Sequence, residues 1–118
     1  MKTLKYRFEG PHKSPYSDND YCVGVFDQEW KAELGGFDLG FMQRSEYVGR
    51  QITKLKNVVA GSDDEFSFGG DSSLIVDVRG QKCILCNDLL QYKIAEVPTT
   101  DLLQLMIEWH AFLKSKGF

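Results

Sequence analysis

Two cysteines at C-x-x-C spacing stand in residues 81–86 (QKCILC), and this spacing occurs in zinc sites and in redox pairs. The surrounding residues predict a strand, in which residues three apart point to opposite faces of the sheet. Cys83 and Cys86 should therefore not share a metal ion or form a disulfide. The other candidate ligands match no standard zinc spacing; they are Cys22, His12 and His110. We expect three ordinary thiols, no metal site and no cofactor.

The two histidines are the candidate bases for nucleophilic catalysis, which also needs a nucleophile and a group that orients the base. His110 follows Trp109 on the flank of the last predicted helix, and His12 lies in a proline-flanked segment. A histidine at the edge of an apolar helix face is usually a packing residue. We therefore predict that the protein is not an enzyme.

Residues 66–73 (FSFGGDSS) have the glycines and serines of an anion-binding loop. No lysine follows them as a phosphate-binding P-loop requires, and the neighbouring carboxylates would repel phosphate. The same carboxylates lack the alternating order of an EF-hand calcium loop. Neither a phosphate site nor a calcium site is predicted here.

Residues 57–78 contain five acidic residues and no lysine or arginine. One interpretation is a solvated loop beside a solvated helix face. The other is an acidic docking surface for a basic partner, in which two phenylalanines supply apolar contact, as in the cores of interfaces. Under the second interpretation the partner-binding residues are Asp63, Asp64, Glu65, Phe66, Phe68 and Asp71.

The 118 residues correspond to one domain, residues 1–118, with a formal net charge of −3 and a pI near 5.3. A nucleic-acid-binding protein normally has a basic excess, so we expect no direct nucleic-acid partner. No apolar run resembles a signal peptide or a membrane span, and an odd number of cysteines fits a reducing compartment. We therefore expect a cytoplasmic protein with no membrane partner.

Residues 45–61 predict a helix, because Val48, Ile52, Leu55 and Val59 recur on one helix face. Ser45 can cap its start and Gly61 can end it. A strand pair remains the alternative for this segment, since Gly49 and the β-branched residues lower helix propensity.

The C-terminal half contains the clearest pattern, a β-hairpin within residues 72–90 that turns at Gly80. An amphipathic helix follows, started by Thr99 or Thr100, with Gln104, Glu108, Ala111 and Ser115 on its solvated face. Its apolar stripe is made of Leu102, Leu105, Met106, Trp109, Phe112 and Leu113.

Earlier in the chain, alternation predicts strands near residues 3–10 and 21–26, with a loop over 11–20. Residues 29–42 favour two strands joined at Gly35–Gly36. The predicted fold is therefore a single α+β domain, with an antiparallel sheet packed by two helices at about 45–60 and 99–116.

Two segments, FSFGGDSSLIVDVRGQKCILCNDLL (66–90) and AEVPTTDLLQLMIEWHAFLKSKG (95–117), resemble the immunity proteins of bacterial contact-dependent inhibition and related polymorphic-toxin systems. The shared features are a β-hairpin after an acidic loop and a capped terminal helix with a tryptophan. The resemblance implies stoichiometric inhibition of a cognate toxin domain, often a nuclease with a basic cleft, by a monomer or homodimer. No binding residue is carried over from the family. The alternatives are an acidic secretion chaperone for an exported effector, or a small enzyme using the glycine-rich loop.

Overall fold

The computed structural model of the protein describes residues 5–26, 39–62, 65–69, 74–87 and 92–118. The described elements, in chain order, are β1 (Tyr6–Lys13), β2 (Asp20–Phe26), α1 (Ser45–Val59), β3 (Glu65–Gly69), β4 (Leu74–Arg79), β5 (Lys82–Asn87), β6 (Tyr92–Pro98) and α2 (Thr99–Ser115). The predicted α+β class and both predicted helices are confirmed. The strands form two antiparallel sheets rather than the one expected, β1-β2 and β3-β4-β5-β6. None of the described helices is both long and apolar enough to cross a membrane.

The β1–β2 hairpin confirms the two N-terminal strands, but β1 runs beyond Pro11 to Lys13, into the segment predicted as a loop. The register shifts between Glu9 and His12, and Gly10 lies inside this irregularity with φ +127°. A Cβ atom on Gly10 would lie 2.9 Å from the Cα atom of Cys22. The bulge therefore requires glycine, which lets β1 continue past a proline.

Of the two strands predicted within residues 29–42, residues 29–38 lie outside the described part of the chain. Residues 39–42 are a turn instead of a strand, closed by a hydrogen bond from the Met42 amide to the Leu39 carbonyl at 3.0 Å. Both side chains are completely buried. The two buried residues are three apart, so their spacing fits a turn and not the two-residue alternation of a strand face.

Helix α1 begins at Ser45 as expected, but Ser45 is its first helical residue and makes no side-chain cap. Its amide is satisfied by the carbonyl oxygen of Phe118 at 3.2 Å, a long-range contact that the local sequence does not reveal. Gly61, with φ +84°, follows the end of the helix as predicted.

The buried face of α1 differs from the predicted one at its C-terminal end. Val59, which was predicted on the apolar face, is 46% exposed, and its neighbour Val58 is buried instead, at 6% exposed. Gln51 is also buried, although it is polar. The buried face is thus decided by where α2 and the sheets lie, in addition to the apolar pattern.

The four-stranded sheet contains the predicted hairpin as β4 and β5, joined by a tight turn at Gly80 with φ +61°. Strands β3 and β6 extend it on both sides and were not predicted. In β6 the buried Ala95 and Val97 alternate with the exposed Lys93 and Glu96, after a register shift in the pairing with β5. This short, half-charged alternation is too weak to stand out from the sequence alone.

Helix α2 carries its apolar stripe as predicted, with Phe112 half-buried and the other five members buried. Its four predicted solvent-facing residues are all exposed. Thr99 does not cap the helix; its hydroxyl donates to the Gly80 carbonyl at 2.6 Å, and its amide donates to the Gln81 carbonyl at 2.9 Å. The start of α2 is therefore attached to the β4–β5 turn.

The indole of Trp109 lies at the centre of the hydrophobic core and is fully buried. Its Nε1 donates to the Met42 carbonyl at 2.7 Å. Its ring meets Phe8 edge-on, with 5.1 Å between centroids, and stacks near Phe112. One side chain thus joins α2 to β1 and to the turn before α1.

The two helices approach each other closely where Gly49 of α1 faces His110 of α2. A Cβ atom on Gly49 would lie 3.4 Å from His110 Nε2, at the short end of ordinary contact. The interpretation of His110 as a packing residue agrees with this position, and the close approach accounts for a glycine inside a helix.

We expect Trp109→Ala to lower the free energy of unfolding by about 3–5 kcal/mol, because it empties the largest buried site and leaves the Met42 carbonyl without its donor. Urea unfolding followed by circular dichroism measures this loss. Trp109→Phe, which keeps an aromatic ring, should cost less than the alanine variant. An unchanged unfolding midpoint for Trp109→Ala would contradict this description of the core.

Gly49→Ala should raise the free energy of unfolding by about 0.5–1 kcal/mol, because alanine favours a helix interior and its methyl group fits against His110. Gly49→Leu is the matched larger variant and should destabilise, because its side chain has no room there. Thermal unfolding of both variants tests this pair of expectations. Stabilisation by leucine would show that α1 and α2 are not closely packed at this point.

Candidate partner-binding surface

The C-x-x-C pair occupies strand β5, as predicted, and the two thiols face different surroundings. Cys83 is completely buried, and its thiol contacts the Thr99 hydroxyl at 3.5 Å. Cys86 is half-buried, and its sulfur lies 3.6 Å from the Ile75 carbonyl oxygen. Burial raises the pKa of the Cys83 thiol to about 11, so this group stays protonated and weakly nucleophilic at neutral pH. Across the described residues, no three histidine, cysteine or acidic side chains are grouped to hold a metal ion.

Tyr6 is the other side chain with a strongly shifted pKa. Partial burial raises the pKa of its phenol, and a hydrogen bond donated to the Glu108 carboxylate raises it further. A shallow cavity of about 230 Å³ adjoins it, partly lined by Lys5, Arg7 and Val25. A phenol that holds its proton this firmly is a poor general acid, and it is not deprotonated at neutral pH to act as a base. Its bond to Glu108 joins β1 to α2.

Three of the six predicted partner-binding residues can be placed: Glu65, Phe66 and Phe68 lie in strand β3. The prediction for Asp63, Asp64 and Asp71 falls on residues outside the described part of the chain. In the glycine- and serine-containing segment 66–73, residues 66–69 are therefore part of a strand. Strand β3 pairs only with β4 among the described strands, so it is an edge of the four-stranded sheet.

The two phenylalanines of β3 are less available to a partner than their sequence position suggested. Phe68 is 7% exposed and belongs to the hydrophobic core, so it is not a surface contact. Phe66 is half-buried, stacks on Phe68 with 5.8 Å between centroids, and has the Lys54 ammonium 5.8 Å above its ring. Because side chains alternate along a strand, these two rings face inward while Glu65 and Ser67 face solvent.

The charge around β3 is more balanced in space than along the chain. Arg79 lies directly opposite Glu65 on the neighbouring strand. The same guanidinium binds the Asp77 carboxylate at 2.8 Å, and this contact raises the pKa of Arg79. Of the five acids in residues 57–78, Asp77 is therefore already paired, and Glu65 has a cation across the strand.

The most exposed large side chain of the described surface is Tyr16, at 95%. It lies in the turn between β1 and β2, which the sequence indicated only as a loop. The other exposed large hydrophobics are spread over the hairpin, α1 and α2: Tyr21, Val59 and Ile107. A tyrosine among Ser, Pro, Asp and Asn, with no apolar neighbour to pack on, was the available signal for it.

Comparisons with models of protein families, with curated proteins and with solved structures found no match.

We expect the double variant Cys83→Ser, Cys86→Ser to remain folded and to lose about 1–2 kcal/mol of unfolding free energy, mainly from the buried Cys83. Chemical denaturation measures this loss, and each single variant serves as the control for the other. Stoichiometric zinc in the purified protein that is absent from the double variant would contradict the expected absence of a metal site.

Proposed function

We propose that this protein is an immunity protein that binds a cognate toxin domain and blocks its active site. The observation that carries the proposal is the acidic run of residues 57–78, whose described exposed acid, Glu65, lies on an edge strand of the four-stranded sheet. The resemblance of the C-terminal half to toxin-immunity proteins supports the same function. In this proposal the protein acts in the cytoplasm, has no catalytic activity and needs no cofactor.

Inhibition of this kind depends on charge and shape rather than on chemistry performed by the inhibitor. A nuclease active site is basic because it holds phosphates, and carboxylates from an immunity protein can take the place of those phosphates. Long-range attraction between an acidic and a basic surface speeds their encounter. Asp63, Asp64, Glu65 and Asp71 are the proposed phosphate mimics, with Phe66 as an apolar neighbour.

The spread of exposed apolar side chains favours binding of one folded domain over the chaperone alternative. A chaperone for an unfolded segment presents a continuous apolar groove. Within the described residues, the exposed large hydrophobics are distributed over three separate elements.

The direct test uses the product of the gene immediately upstream, because the proposal expects an immunity gene to follow the gene of its toxin. Co-expression should restore growth to cells that produce the toxin domain, and the two proteins should co-purify as a stable complex. Purified protein should abolish the toxin's enzymatic activity at a one-to-one ratio. Binding only to an unfolded segment of the upstream product would favour the chaperone alternative instead.

Neutralising the acids, as Asp63→Asn, Asp64→Asn and Glu65→Gln together, should slow association with the toxin about tenfold at low salt and weaken its salt dependence. A further variant adds Asp71→Asn to these three substitutions. The melting temperature should not fall, because exposed like charges contribute little to folding. Stopped-flow association at several salt concentrations and a growth-protection assay measure the effects.

The matched control is Glu9→Gln, Glu46→Gln and Glu96→Gln, three acids on β1, α1 and β6 whose side chains are at least 39% exposed. Both triple variants remove three negative charges, so a general effect of net charge would slow them equally. Wild-type association and protection by the first variant would show that the acidic run is only solvated surface.

A further inference from the structure

The tip of the β1–β2 hairpin exposes a large aromatic side chain that the fold does not use. Tyr16 is 95% exposed, so almost none of its ring is buried against the rest of the protein. An exposed aromatic ring adds nothing to the core and lowers solubility. It is well suited to contact a partner protein, because tyrosine is among the residues enriched at interface hot spots.

Residues 15–20 of the tip are exposed, and two local hydrogen bonds restrain its backbone. The Tyr16 amide donates to the Ser14 hydroxyl at 3.1 Å, and the Asn19 amide donates to the Ser17 hydroxyl at 3.2 Å. Pro15 restricts the backbone just before the tyrosine. Such hydrogen bonds reduce the entropy lost when the turn is fixed in a complex.

The base of the hairpin is held firmly to the rest of the molecule. Phe8 packs on the buried Trp109 ring. The amide and carbonyl of Cys22 on β2 are bound by the Gln43 side chain, at 2.7 and 2.8 Å. The Gln43 side chain therefore occupies the backbone amide and carbonyl of Cys22, which a further strand could otherwise use for pairing. The tip projects from a supported scaffold, as binding loops commonly do.

The composition of the tip matches a protein-binding loop with acidic character. Residues 14–19 read SPYSDN. Tyrosine, serine and asparagine are among the residues enriched in the antigen-binding loops of antibodies. Asp18 and Asp20 are both exposed, and Lys13 lies opposite Asp20 across the hairpin. A polar cavity of about 380 Å³ adjoins the tip, lined by Asn19, Asp20, Gln43, Arg44, Gly117 and Phe118.

We propose that this tip, residues 14–20, is a docking surface for a basic protein, with Tyr16 as its central anchor and Asp18 and Asp20 as its charged rim. The inference deepens the proposed function: the basic protein is the toxin domain that the immunity protein neutralises. The ring enters an apolar recess of the toxin domain, while the two carboxylates meet lysine or arginine side chains around that recess.

The test measures binding of the toxin domain encoded immediately upstream to wild type, to Tyr16→Ala, and to the pair Asp18→Asn, Asp20→Asn. Tyr16→Ala should weaken binding by about 30-fold or more, chiefly through faster dissociation. The aspartate pair should chiefly slow association, and more strongly at low salt. Because Tyr16 makes no packing contact, its variant should melt at the wild-type temperature, which excludes misfolding as the cause.

Ile107→Ala, an exposed apolar truncation on α2, is the matched control and should change affinity by no more than about twofold. In a second measurement, tetranitromethane should nitrate Tyr16 in the unbound protein and fail to do so in the complex. Wild-type affinity of Tyr16→Ala, or nitration of Tyr16 within the complex, would overturn the docking assignment while leaving the proposed function in place. Absence of binding by the wild-type protein would overturn both.

Discussion

The buried indole of Trp109 is the contact on which the arrangement of the elements depends. A buried N–H group must find an acceptor, and here the acceptor is the backbone carbonyl of Met42, distant in sequence. That bond fixes the turn before α1 against α2, and the same ring receives Phe8 from β1. The next residue, Gln43, then bonds to the backbone of Cys22 in β2. The N-terminal hairpin, the turn and both helices are thereby connected through neighbouring residues.

Thr99 has the corresponding position between α2 and the four-stranded sheet. Its amide and hydroxyl donate to the two turn residues of the β4–β5 hairpin, Gln81 and Gly80. The thiol of Cys83 also contacts the Thr99 hydroxyl. A residue that would ordinarily cap a helix is here used to attach that helix to a turn. The two cysteines of the C-x-x-C pair are consequently part of the sheet. Burial raises the pKa of the Cys83 thiol, whereas a reactive thiol has a lowered pKa.

The distribution of charge shows why linear runs are an incomplete guide to a binding surface. Residues 57–78 contain no basic residue, yet pairing of β3 with β4 brings Arg79 opposite Glu65, and α1 brings Lys54 over Phe66. The negative charge that a partner would contact therefore depends on the acidic residues that have no cation beside them. The hairpin tip offers a different kind of surface, in which one exposed ring on an ordered turn is flanked by carboxylates.

The sequence alone determined the elements whose patterns are strong and local: both helices, the β4–β5 hairpin with its turn at Gly80, and the solvated and apolar faces of α2. These follow from periodicity, because a long regular pattern has few alternative structures. Only the tertiary structure decided that β3 and β6 join the sheet, that Phe68 is buried, and that Val58 rather than Val59 faces the core. Each of these depends on what lies across the sheet or the helix interface, and residues distant in the chain supply those neighbours. The exposure of Tyr16 was decided in the same way: its polar neighbours in the sequence indicate a loop, but only the fold shows that no distant side chain among the described residues packs over its ring.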